Sequence, residues 1–278
     1  MDHIFSLIRT KTSILIGFAT ILGFWLENKH LSIESMLSML LCFFLGFVLS
    51  GAMNTINDVV DCDLDNILKP ERAIPSGKIS KINAIILYLV LVTLGLIISI
   101  LLYVPIFNIV LFIIIISTAY SLWLQNIPLL KNIIVGFSIS SAIVVGSFIG
   151  KQSFFASEKV ILLTMFAFIG IVLFETHKDI GDVEIDEKFG KKTIPVLIGQ
   201  KNTAILVYWS YWITGIMFWI YLLKNFETII SIIIIVIEIL LLTKSAFFIK
   251  KQDRETINSS RITIYVMFGI TLFALFLL

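Results

Sequence analysis

Two groups of acidic residues in this chain repeat one another's spacing. Asn54, Asp58, Asp61 and Asp65 form the first. Glu175, Asp179, Asp182 and Asp186 form the second, each 121 positions further on. The off-face acids correspond as well, Asp63 with Glu184. At about 100° per residue, each set projects as a stripe on one helix face. Carboxylates that close repel one another unless cations share them. The pattern points to a divalent-metal site, with a phosphorylated substrate held through the metals. Basic residues accompany the acids: Lys69 and Arg72 follow the first group, Lys178 lies within the second, and Lys131 follows the fourth apolar segment. Acids that hold Mg2+ and bases that contact phosphate oxygens fit a metal–diphosphate complex. A merely solvated helix end would not recur with the same spacing. An EF-hand beginning at Asp61 fails, because its sixth position is Asn66 instead of Gly and its twelfth is Arg72 instead of Glu.

The elements that carry these groups are membrane helices. The chain has 278 residues, 58% hydrophobic and 14% charged, with a mean hydropathy of +1.02. A soluble domain carries about 25% charged residues. Nine apolar runs approach the ~20 residues needed to cross a bilayer: 12–27, 35–57, 82–103, 106–124, 132–150, 159–176, 203–223, 227–249 and 261–278. With nine spans, 17 of the 21 basic residues fall on one side, and Lys29, Lys151, Lys159 and Lys224 on the other. The positive-inside rule then puts the N-terminus and both acidic groups in the cytoplasm and the C-terminus outside. Met1–Lys11 is polar and no small-residue cleavage site follows, so no cleavable signal peptide is expected. Cys42 and Cys62 suggest neither a disulfide framework nor a zinc site.

Two long polar stretches, 58–81 and 177–202, each follow an even-numbered span and carry an acidic group. The 121-residue offset equals four spans, which reads as two related four-helix halves plus a ninth helix. The expectation is an all-α polytopic membrane protein, one integral domain over 1–278. Other residues on the cytoplasmic side have two readings each. Tyr120, before Ser121, is an interfacial anchor or a wall of the site whose ring face stabilises a carbocation. His177 beside the second group is a solvated surface residue or a base. Trp209, Trp212, Trp219 and Tyr221 read as interfacial and packing aromatics.

The segment Gly51–Gly77 contains Asn57-Asp58-x-x-Asp61-x-x-x-Asp65, then Lys69-Pro70-Glu71-Arg72-Ala73 and Pro75-Ser76-Gly77. It closely resembles the signature of UbiA-type intramembrane prenyltransferases, with Ala73 where that family commonly has Pro. The family's second signature is matched by Asp179, Asp182 and Asp186, preceded by Lys178 and followed by Gly190. Tyr120 followed by Lys131-Asn132 resembles a third family feature and Arg9 a fourth. The resemblance implies a nine-helix bundle around a central cavity, with the two acidic motifs facing each other at its cytoplasmic mouth. It implies Mg2+ held by Asn57, Asp61, Asp65, Asp179, Asp182 and Asp186 and bridging an isoprenyl diphosphate. Asn54, Asn57, Lys69, Arg72, Lys131 and Lys178 would contact that diphosphate. Asp58, the other cluster aspartates and Tyr120 would serve catalysis.

Within the family the chain looks most like the archaeal lipid branch: it is short, rich in Ile and Lys, and has no added soluble domain. That branch transfers a geranylgeranyl group from geranylgeranyl diphosphate to geranylgeranylglyceryl phosphate, forming the second ether bond of archaeal membrane lipids. A second anion patch would then be needed, from Arg9, Lys11 or Lys201. The alternative within the family is prenylation of 4-hydroxybenzoate or a naphthoate. A cation-coupled transporter is a different class; its sites lie near the midplane on broken helices, whereas these acids lie at helix ends. Membrane lipids are expected partners; nucleic acid and an obligate protein partner are not.

Overall fold

The computed structural model describes residues 2–124, 127, 129–226 and 229–277. Positions 227–228 of the eighth expected span and 278 of the ninth lie outside the described residues. Among the described residues all regular structure is helical. The α-helices are α1 (Asp2–Leu7), α2 (Thr10–Glu27), α3 (Ile33–Val60), α4 (Cys62–Leu68), α5 (Lys81–Leu102), α6 (Ile106–Ala119), α7 (Leu130–Lys151), α8 (Glu158–Gly181), α9 (Val183–Lys188), α10 (Ile194–Ile198), α11 (Gln200–Phe226), α12 (Ile229–Ser245) and α13 (Arg254–Leu275). A π-helical turn, Tyr120–Leu124, follows α6, and a 3-10 turn, Ala246–Ile249, follows α12.

Eight of these segments are long and apolar enough to cross a membrane: 33–60, 81–102, 106–123, 130–151, 158–181, 200–226, 229–249 and 254–275. They coincide with eight of the nine expected spans, and the chain is a multi-pass membrane protein. The other expected span, 12–27, is α2. It is helical over 18 residues, but Lys11 and Glu27 at its ends dilute its hydropathy, so the count of nine is not reached. Helix starts follow local capping rules. Ser32 and Ser35 form a reciprocal capping box at α3, Ser80 accepts from the Asn83 amide at α5, and Asp253 accepts from the Thr256 amide at α13. Each such cap contributes about 1 kcal/mol.

The chain divides into two compact units: Met1–Leu124 with Ser141–Thr164, and Gln125–Ser140 with Met165–Leu278. Helices α7 and α8 contribute residues to both. In the first unit, α2, α3, α6 and α7 bury Phe24, Leu45, Ile106, Val110 and Ile149 together. Helix α2 meets the second half of α7 almost backbone to backbone. A Cβ on Gly23 would fall on the Ile143 carbonyl, and one on Gly146 on the Thr20 carbonyl. Neither obstacle is a side chain that can turn away. In lipid, where apolar burial drives helix association little, such small-residue contacts supply the packing. Glu27 closes the same end: its Oε1 accepts from Ser147 Oγ at 3.1 Å and from the Ser157 amide at 2.5 Å.

The second unit holds a carboxyl group inside its membrane helices. Glu238 on α12 is buried; its Oε2 accepts from Trp219 Nε1 on α11 and its Oε1 from Thr271 Oγ1 on α13, both at 2.6 Å. An intramembrane carboxyl is costly unless partnered, so the two donors make it a tie across three helices. The aromatic reading of Trp219 misses this tie, because one acid inside an isoleucine run carries no periodic signal.

Gly146→Val should destabilise the first unit by about 1–3 kcal/mol or more, the range for overpacking against atoms that cannot yield. Glu238→Ala should leave the buried Trp219 indole N–H unpaired, at about 1–3 kcal/mol, and free the half-buried Thr271 hydroxyl. Thermal melting of purified protein in detergent reads both, and an unchanged midpoint would contradict the packing described.

Candidate active site

The acidic groups lie where two long helices stop. Helix α3 ends at Val60 and α4 starts at Cys62, so Asp61 alone forms the junction, at φ −78°, ψ 2°. Helix α8 ends at Gly181 and α9 starts at Val183, leaving Asp182 at φ −105°, ψ 5°. Both lie in the sparsely populated bridge region that active-site residues often occupy. The expected single-helix stripe is therefore broken at its central acid in each group. An unbroken helix would align every acid with the negative end of its dipole. The breaks instead put Asp65 and Asp186 in the first turns of new short helices, where acids are favoured. Hydrogen bonds bridge each break: the Asp61 amide donates to Asn57 O at 2.9 Å and the Asp65 amide to Asp61 O at 2.8 Å. At the second junction the Asp186 amide donates to Asp182 O at 2.9 Å. The repeat in sequence is thus a repeat in backbone geometry.

In the first group, basic side chains hold the carboxylates. Asp58 Oδ1 accepts from Arg9 Nη2 at 2.8 Å and from Arg72 Nη1 at 3.2 Å. Asp65 Oδ2 accepts from the same Arg72 nitrogen at 2.5 Å. Burial pushes the Asp65 carboxyl above its usual range; Arg72 and Lys69 oppose the shift, and Asp58 adds to it. Arg9 has a left-handed backbone, φ 48°, ψ 61°, at the turn from α1 into α2, which costs a non-glycine residue about 1–2 kcal/mol. Arg9, expected as an acceptor contact, is bonded to Asp58 of the first acidic group. Asn54 donates to the Ile8 carbonyl at 3.3 Å and ties α3 to the end of α1. Asn57 Oδ1 is buried and has no hydrogen-bond partner. Lys69 ends α4, its amide bonded to Asp65 O. Tyr120 is buried and opens the π-helical turn, a distortion frequent at functional sites. Lys11 and Lys201 are exposed.

The second group follows the same rule. Asp179 has a partner on each oxygen: Lys131 Nζ on Oδ1 at 3.0 Å and Asn132 Nδ2 on Oδ2 at 3.1 Å. Asn132 Nδ2 also donates to Thr176 Oγ1 at 3.0 Å. Lys131 and Asn132 occupy the first turn of α7, where a lysine opposes the helix dipole; Asp179 offsets that charge. Lys178 pairs with Glu175 at 3.6 Å, and Arg254 with Asp182 at 3.6 Å. Asp186 is buried and its Oδ2 has no hydrogen-bond partner. Burial pushes its carboxyl above the usual range against the pull of Lys131 and Lys191, while Asp179 and Asp182 add to the rise. His177 is neither solvated nor placed as a base. It is fully buried, its ring centroid 4.1 Å from that of Phe248 and its Nε2 2.9 Å from Ser260 Oγ.

Three features of the second group escape sequence reasoning: Thr176, Arg254 and the bond from Asn132 to Asp179. Asn132 is adjacent in sequence to Lys131, which is the available signal. Arg254 reads in sequence only as a topological charge, and nothing local distinguishes it.

Among the described residues, no group of three or more His, Cys, Asp or Glu side chains is drawn together as a ready metal site. Guanidinium and ammonium groups hold the carboxylates instead. The donor chemistry nonetheless suits a hard cation. Asn57, Asp61 and Asp65, and likewise Asp179, Asp182 and Asp186, offer only oxygen, the ligand Mg2+ takes. The unpartnered buried oxygens of Asn57 and Asp186 lie within these sets.

Comparison with known proteins fixes the family. Residues 16–273 match the model of the UbiA prenyltransferase family. A digeranylgeranylglyceryl phosphate synthase from Methanobrevibacter smithii is 32% identical over 264 residues, covering 93% of this chain and 91% of its own. The synthase of that name from Methanocaldococcus jannaschii is 29% identical over 273 residues, covering 96% and 93%. A solved structure described as digeranylgeranylglyceryl phosphate synthase in membranes superposes with a TM-score of 0.73 at 26% identity, covering 99% of this chain and 97% of its own. A UbiA homolog from Archaeoglobus fulgidus, solved with GPP and Mg2+, has the same fold, with a TM-score of 0.71 at 20% identity over 99% of this chain and all of its own. The chain belongs to the UbiA prenyltransferase family.

Proposed function

We propose that this protein transfers a geranylgeranyl group from geranylgeranyl diphosphate to geranylgeranylglyceryl phosphate, with Mg2+ as cofactor. The observation that carries this reading is the near full-length similarity to relatives named for that product, joined to two junctions of acids and bases that suit a metal–diphosphate. Asn57, Asp61 and Asp65, with Asp179, Asp182 and Asp186, would hold the metal. When bound, Mg2+ neutralises charge on the departing diphosphate.

The chain's own groups do the rest. Lys69, Arg72, Lys131 and Lys178 supply positive charge, and Asn54 a further hydrogen-bond donor, to phosphate oxygens. The allylic C–O bond breaks and its electron pair leaves with the diphosphate. The acceptor hydroxyl oxygen forms the new C–O bond, and its proton passes to the released diphosphate. The Tyr120 ring face stabilises the positive carbon while it exists. Apolar side chains exclude water that would otherwise capture it. Arg9, next to Asp58, is the candidate for contact with an acceptor phosphate. The whole chain, 1–278, acts as one enzyme, and with α2 as a ninth crossing its N-terminus and both acidic junctions are cytoplasmic and its C-terminus is outside.

The test is an assay of purified protein with Mg2+, geranylgeranyl diphosphate and two competing acceptors, geranylgeranylglyceryl phosphate and 4-hydroxybenzoate, with products read by mass. Prenylated glyceryl phosphate is expected; prenylated aromatic alone would overturn the acceptor assignment. Asp61→Ala and Asp182→Ala should each lower turnover by roughly a hundred- to a thousandfold, on the scale of lost electrostatic stabilisation, with little change in melting temperature. Chelation of Mg2+ should match them. Asp65 and Asp186 have raised pKa values and must lose their protons to bind a cation. Mg2+ affinity measured by titration should therefore begin to fall, as pH drops, above the ordinary carboxylate range. In the metal-free protein the same two groups favour the fold at low pH. That contribution is lost as pH rises through their raised values.

A further inference from the structure

One cation beside the second acidic junction has no part in the mechanism above. Arg254 opens α13, and its Nε lies 3.6 Å from Asp182 Oδ1. That separation makes an ion pair but not a hydrogen bond. The side chains are 45% and 22% exposed, against 26% and 4% for Arg72 and Asp65. A loose, exposed pair contributes about 1 kcal/mol or less, so exchanging partners costs little. Arg72, by contrast, is fixed on two buried carboxylates. Arg254 also occupies a helix first turn, where the dipole repels a cation. Its neighbour Asp253 is committed elsewhere: it caps α13 through the Thr256 amide and hydroxyl and pairs with Lys251 at 3.2 Å. The start of α13 is therefore firmly anchored while the Arg254 guanidinium is held only loosely. It lies on an open stretch of the α13 surface that continues past Glu255, Asn258 and Ser259 to Ile262, which leaves the group room to turn.

We infer that Arg254 is a further diphosphate-binding residue, one that neutralises Asp182 in the metal-free protein and turns to the diphosphate when a metal takes the Asp182 oxygens. The inference rests on the function proposed above. It makes the two ligands interdependent. Metal alone must displace Arg254 and leave its charge unpaired. Diphosphate alone meets the charge of Asp182. Bound together, they satisfy both side chains, so each strengthens the other's binding, and the coupling is reciprocal.

Calorimetric titration of the purified full-length protein tests this with two probes: Mg2+ alone, and inorganic pyrophosphate at saturating Mg2+. Arg254→Gln should bind Mg2+ alone about two- to fivefold more tightly, since an exposed competing ion pair is removed. It should bind pyrophosphate in Mg2+ at least about tenfold more weakly, the scale of a lost hydrogen bond to a charged group. Arg254→Lys should recover most of the pyrophosphate affinity. A merely structural role would weaken both ligands together and lower the melting temperature, and that result would overturn the inference. So would constants for Arg254→Gln within twofold of the wild type. If the wild-type protein itself binds no pyrophosphate in Mg2+, the proposed function fails and this inference with it. Normal wild-type binding with an indifferent Arg254→Gln removes the inference alone.

Discussion

Carboxylates gathered at the ends of membrane helices must be neutralised, and much of this molecule's polar architecture answers that need. Asp58 and Asp65 share Arg72, Asp58 also takes Arg9, Asp179 takes Lys131, and Asp182 takes Arg254. The partners come from the start of α2, the loop after α4, the first turn of α7 and the first turn of α13. Chain segments far apart in sequence are thereby pinned to two short stretches of backbone. The same pairing keeps positive charge beside the acids, where a diphosphate can use it.

The pairs differ in strength, and the difference has meaning. A buried, short contact such as that of Arg72 with Asp65 fixes geometry, because breaking it would strand a charge away from water. A longer, exposed contact such as that of Arg254 with Asp182 is easily exchanged. The central acids of both groups, Asp61 and Asp182, occupy the helix breaks and are less enclosed than the buried Asp179. Fixed pairs around a less enclosed central acid would let each junction admit a cation without unfolding its own frame.

Away from the acidic junctions, each unit solves the membrane packing problem in its own way. The first brings helices into backbone contact through glycines whose added Cβ would fall on a neighbouring carbonyl. The second ties three helices through Glu238, whose two oxygens each receive a donor. Where apolar burial gives helices little reason to associate, close approach and satisfied polar groups take its place.

The sequence by itself determined the helical class, eight of the membrane segments, the two acidic groups and their offset. All of these rest on local composition and period, which the chain carries without tertiary context. Asp61, Asp65, Asp179, Asp182 and Asp186 stood out because like charges at such regular spacing repel one another unless a cation joins them, whereas neutral Asn57 entered only through the resemblance to the family signature. Tertiary structure alone decided the breaks at Asp61 and Asp182, the burial of His177, the place of Arg9 at Asp58, and the roles of Asn132, Thr176, Arg254 and Glu238. Each depends on which distant group comes within a few ångströms. Coulomb and hydrogen-bond energies are set by that separation and by burial, and neither quantity is written in the spacing of residues along the chain.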